Sequence, residues 1–232
     1  MKRLAVLLLV VCGCAPPAPR HEASEALKAC AALRGPAESV ADVVTRLNAL
    51  PRPVSVPCLV AALPRPVDVV ASTSLTSAQP ADSAQSPRIF FLTRGLVLSV
   101  VPAGVGLHLV ELGQWTSSTV TLKAEIELPL TAPLAGDAPI TRIKPVGAGS
   151  STQCGLCHRG EAPHPTIDGG WVSIAYQPGK GTEVKLDALA KEHQGCVDRA
   201  EASERCDLFH ALFDVGELGQ GAFAAEVERF TQ

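Results

Sequence analysis

Aromatic residues are scarce in this 232-residue chain: six Phe, two Trp and one Tyr, 4% in all. So thin a supply gives no repeated aromatic platform for stacking nucleobases. Charge is also sparse, at 19% of residues, and the net of -3 lacks the basic footprint of a duplex-binding protein, so nucleic acid is not an expected partner. Met1 is the only methionine, which removes thioether from the available metal ligands. No apolar run reaches the roughly 20 residues that a bilayer core requires. Gly-x-Ser-x-Gly, His-Glu-x-x-His, a phosphate loop and a dinucleotide fingerprint are all missing, which leaves the familiar hydrolase, metalloprotease and nucleotide-dependent chemistries without a motif. A hydrophobic content of 47% nevertheless supports a globular body with a sizeable core.

The N-terminus reads as an address. Lys2 and Arg3 precede the apolar run Leu4 to Val11, the charged start and short hydrophobic stretch of a signal peptide over residues 1–13. Val11-Cys12-Gly13-Cys14 resembles the lipobox of bacterial lipoproteins, in which a small residue precedes the cysteine that is lipidated. The resemblance implies lipidation at Cys14, with Cys12 as the weaker alternative. It further implies anchoring in the cell envelope, on the outer membrane facing the periplasm, since Ala15 and not Asp follows the lipid cysteine. Residues 14–21, rich in proline, form a short stiff tether, and 22–232 are read as one domain.

Six cysteines remain: Cys30, Cys58, Cys154, Cys157, Cys196 and Cys206. Export to an oxidising compartment makes pairing the default, and although six cysteines allow 15 connectivities, proximity favours Cys30 with Cys58 and Cys196 with Cys206.

Periodicity predicts an α+β fold, an antiparallel sheet with flanking N- and C-terminal helices. Residues 22–60 read as helical, with Val40, Val43, Val44, Leu47 and Leu50 repeating at three- and four-residue steps. The small polar stretch 72–87 reads as a long loop, and 88–177 as strand-rich. There 96–101 and 107–112 form a hairpin, and in 120–128 buried Val120, Leu122, Ala124, Ile126 and Leu128 alternate with solvated Thr121, Lys123, Glu125 and Glu127. Residues 140–146 and 171–176 are further strand candidates. Helix returns over 183–232, with Phe223, Val227 and Phe230 on a last turn or two.

One motif carries chemistry. Cys154-Gly155-Leu156-Cys157-His158 matches the Cys-x-x-Cys-His pattern of covalent haem attachment. At this chain's residue frequencies the chance number of such motifs is on the order of one in a hundred. Two thiols three residues apart can each add to a haem vinyl group, and the next residue then offers imidazole to the iron. Over these five residues the chain resembles c-type cytochromes, which implies haem c on Cys154 and Cys157 with His158 as axial ligand, and electron transfer or haem-linked sensing with a redox protein partner. Small c-type cytochromes are helical and use a downstream methionine as second axial ligand; here strands precede the motif and no such methionine exists. His193 and His210 are then the candidates for a distal ligand, His164 being too near in sequence, while His21 and His108 carry no site signal. An enzyme is not the expectation, because any activity would rest on the haem alone.

Other readings of the same residues stand beside this one. Cys154 and Cys157 can close a third structural disulfide in a cofactor-free, stapled envelope lipoprotein that serves as a binding or structural module. Cys-Gly-Leu-Cys can be a thiol-disulfide redox centre, though Gly160, Pro163, Pro165, Gly169 and Gly170 deny it the following helix. Cys154, Cys157, His158 and His164 also have the ligand types for zinc.

Overall fold

The computed structural model describes residues 23–147 and 151–230. The signal segment, Cys12, Cys14 and the tether with His21 lie outside the described residues. In chain order the helices are α1 (Glu25–Ala32), α2 (Val40–Ala49), α3 (Val56–Ala61), α4 (Ala138–Thr141), α5 (Leu186–Arg199) and α6 (Glu204–Phe213). The strands are β1 (Val67–Ser72), β2 (Arg88–Leu92), β3 (Leu96–Val100), β4 (Leu109–Trp115), β5 (Val120–Glu127), β6 (Ala162–Pro163), β7 (Trp171–Ile174), β8 (Tyr176–Gln177), β9 (Glu183–Val184), β10 (Leu218–Gln220) and β11 (Glu228–Arg229). The fold is α+β, a mostly antiparallel sheet with helices at both ends of the chain.

Serine hydroxyls begin four of the helices. Ser24, Ser39, Ser55 and Ser203 each accept the backbone N–H three residues on, from Leu27, Asp42, Cys58 and Cys206, and so satisfy an amide that the helix itself leaves unpaired. Val40, Val43, Val44 and Leu47 bury the inward stripe of α2. Cys30–Cys58 ties α1 to α3 and Cys196–Cys206 ties α5 to α6, the two local pairings that proximity favours.

The sheet runs β10-β1-β2-β3-β4-β5-β7-β6, with β9 also on β1. β2 to β5 form a meander, and the expected hairpin is β3–β4, with Leu98 opposite Leu112. One sheet face packs Ile89, Phe91, Leu96, Leu98, Val110, Leu112, Leu122 and Ile126 into the core shared with the helices. The loop expected over 72–87 is irregular, and it is pinned by Gln79. That side chain is fully buried, donates to the carbonyls of Ser99 and Leu109 at 3.1 and 2.8 Å, and accepts from the Ser99 hydroxyl.

Three expectations need correction. Residues 140–146 are not a strand: Pro139 starts the single turn of α4, in which Ile140 and Thr141 return their amides to the Asp137 carbonyl. The stretch after α6 is extended, with Val67, Asp68 and Val69 of β1 in parallel register with Leu218, Gly219 and Gln220. Gly216, Gly219 and Gly221 remove helix propensity there, and the open edge of β1 supplies the hydrogen bonds. Finally, the second face of β5 is not simply solvated. Thr121 and Lys123 are buried, because residues of the 134–146, 153–158 and 175–182 segments stand over that face and enclose a cavity against it.

Candidate cofactor site

Residues 153–158 form a single tight turn. Cys157 and His158 both return their amides to the Cys154 carbonyl, at 3.1 and 2.8 Å. Positions i, i+3 and i+4 of such a turn share one side, so Cys154, Cys157 and His158 all line the same cavity. The Thr152 hydroxyl caps the turn by accepting from the Cys154 amide at 3.0 Å. Glu161 braces it from behind: its carboxylate accepts from the Thr152 amide at 2.6 Å, from the Ser151 hydroxyl at 2.8 Å and from the Thr152 hydroxyl. Burial alone pushes the Glu161 pKa up, but these donors outweigh it and hold the carboxyl below its ordinary value. Gly160 then turns the chain away at φ +65°, a conformation that favours glycine.

Both motif thiols are free. The third bridge of a fully stapled module is therefore not formed. Burial pushes the Cys154 pKa up, only partly offset by the Thr152 hydroxyl, so the group is a neutral thiol and lacks the lowered pKa of a thiol-disulfide redox centre. Nor is the zinc set assembled. His164 Nδ1 instead accepts from the amides of Thr166 and Ile167, and the motif is not among the groups close enough to share an ion within the described residues.

His158 is the best-defined group of the site. Its Nδ1 lies 2.7 Å from the Ile174 carbonyl oxygen, which only accepts, so Nδ1 carries the proton and Nε2 holds the lone pair. Burial, aided by the Lys123 cation, lowers its pKa to about 4, and the ring is neutral through the physiological range. Tyr176 lies beside it with ring centroids 5.4 Å apart.

The cavity occupies about 1310 Å³, more than the roughly 300–1,000 Å³ of ordinary small-molecule pockets. Five of the nine aromatic residues in this aromatic-poor chain line it: Phe90, Trp115, Tyr176, Phe223 and Phe230. Its sheet wall is polar. Lys123, 9% exposed, donates to the Thr121 hydroxyl at 2.9 Å, and desolvation lowers its pKa to about 8. Arg88 pairs with Glu111, is held by the hydroxyls of Ser77 and Ser99, and lies 4.8 Å over the Phe90 ring.

The structure thus brings together Cys154, Cys157 and His158. His193 and His210 do not line this cavity; they face each other and Asp214 where α5 meets α6. Sequence reasoning missed Lys123, Arg88 and Glu111, whose alternation marks a face of the sheet without marking what covers it. Comparison of the chain with family models, with curated proteins and with solved structures found no match in any of the three.

Proposed function

We propose that this protein is an exported, lipid-anchored carrier of one covalent haem c, held by Cys154, Cys157 and His158, that serves electron transfer or haem-linked sensing in the cell envelope. The observation that carries the reading is the fixed tautomer of His158, which reserves Nε2 for a metal while Nδ1–H is anchored on Ile174. The donor set fits the group on three further counts. The thiols are free, the cavity is large and rich in aromatic rings for a flat macrocycle, and the Lys123 ammonium in its wall offers positive charge to a haem carboxylate.

Attachment requires no oxidant. Cys154 and Cys157 would hold the haem as thioethers, each thiol adding across one vinyl group with its sulfur on one carbon and its hydrogen on the other, so that no electron would be lost. When bound, haem supplies a one-electron iron couple. The chain's own residues do the rest. Thr152 and Glu161 hold the turn, Ile174 orients the imidazole, and the buried sheet wall limits water. Cys14 anchors the mature chain to the membrane, and a redox protein is the partner class.

Expression in cells able to mature c-type cytochromes is the test. The mature protein is expected to show a Soret band and a haem-sized mass increase that survives denaturation, both lost in the Cys154→Ser, Cys157→Ser double variant. A colourless protein at its bare polypeptide mass overturns the reading. If its non-reduced peptide map then links Cys154 to Cys157, the cofactor-free stapled module replaces it.

A further inference from the structure

We infer that His193, His210 and Asp214 form a divalent-metal site between α5 and α6, apart from the cysteine-lined cavity, suited to zinc or a similar borderline ion. One nitrogen from each ring and one carboxylate oxygen lie within 4.8 Å of one another. Asp214 stands between the rings: its Oδ2 is 2.6 Å from His210 Nδ1 and its Oδ1 is 2.8 Å from His193 Nε2. Tetrahedral zinc, with bonds of about 2.0–2.2 Å, places its donors about 3.3–3.5 Å apart, within the 4.8 Å that spans these three atoms. Two imidazoles and a carboxylate are also a ligand set that zinc uses when a fourth position is left open.

The surroundings prepare the cluster. His193 is one turn before Cys196 on α5, and His210 is one turn after Cys206 on α6, so the disulfide holds the two helices together one turn from the ligands. Phe213 stacks on the His193 ring at 5.2 Å and fixes its plane. Side-chain exposures of 16%, 1% and 21% leave a way in while keeping most water out.

Titrate the disulfide-intact mature chain with Zn²⁺ and Co²⁺, in the wild type and in a Cys154→Ser, Cys157→Ser background that removes the motif thiols. Both are expected to bind one equivalent at micromolar metal, with Co²⁺ giving visible d–d bands and no thiolate charge-transfer band in the Ser background. Zn²⁺ is expected to raise Tm. Asp214→Asn and His193→Gln, each checked for native circular dichroism, are expected to weaken binding at least tenfold and abolish the Tm shift. No binding at micromolar metal, or unchanged stoichiometry and affinity in folded His193→Gln, overturns the site. Neither result bears on haem attachment, which is read from colour and mass.

Discussion

His158 Nδ1 lies 2.7 Å from the carbonyl oxygen of Ile174, the last residue of β7, so the orientation of the one imidazole in the Cys-x-x-Cys-His turn is set by a sheet strand sixteen residues downstream. The bond ties the motif to the fold in either state of the site. It fixes the tautomer through hydrogen bonding while burial keeps the ring uncharged.

A pH dependence follows. The folded pKa of about 4 lies below the ordinary 6.5, so between these values the unfolded chain binds the proton that the folded ring refuses. Stability contributed by the neutral ring is present above about pH 6.5 and lost as pH falls toward 4, a change on the order of 2–3 kcal/mol. Urea unfolding of the haem-free chain at pH 7, 6, 5 and 4.5 is expected to show this loss, and His158→Ala is expected to flatten it. An equal slope in the variant assigns the effect to other groups.

Lys123 gives a second window on the alkaline side. Its folded pKa of about 8 is below the ordinary 10.5, so the unfolded chain holds the extra proton between them and stability rises with pH across that range. Desolvation is the first cause, and the cost of keeping the ammonium charged in the cavity wall at pH 7 is on the order of 2–3 kcal/mol. Lys123→Met is expected to be more stable than wild type at pH 7 and to lose the rise between pH 8 and 10. Stability that falls at pH 7 would show that the ammonium is worth more to its neighbours than its burial costs.

What the sequence discloses follows from where the physical signal resides. The alternation in 120–128 is local, so β5 and its core-facing Leu122, Ala124 and Ile126 were legible. So was the motif, because the haem-attachment spacing lies within five residues. β1 was not, since Val-Asp-Val-Val-Ala-Ser has little alternation and its strand character comes from partners at 88–92 and 218–220. Lys123 read as solvated for a related reason. Alternation separates two faces, but the residues that line the cavity over the second face come from distant parts of the chain, among them Ser77, Arg142, His158, Tyr176 and Phe223. The meeting of His193 and His210 with Asp214 depends on how α5 packs on α6, which no single helix pattern encodes.

The two disulfides are expected to differ in their contribution. Cys30–Cys58 spans 28 positions and Cys196–Cys206 spans 10. Loop-closure entropy in the unfolded chain then assigns about 3.6 kcal/mol to the first and about 2.8 kcal/mol to the second. Paired serine replacements followed by denaturant unfolding are expected to rank in that order. The reverse ranking would mean that the shorter bridge acts mainly on the folded helix pair, where it also holds the His193 and His210 cluster.

Anchoring is tested at Cys14. Only a thiol accepts the diacylglyceryl group, so on the lipoprotein reading Cys14→Ser is expected to abolish fatty-acid labelling, lipoprotein processing and detergent partitioning, while Cys12→Ser leaves all three intact. Label retained by the first variant and lost from the second would move the mature N-terminus to Cys12.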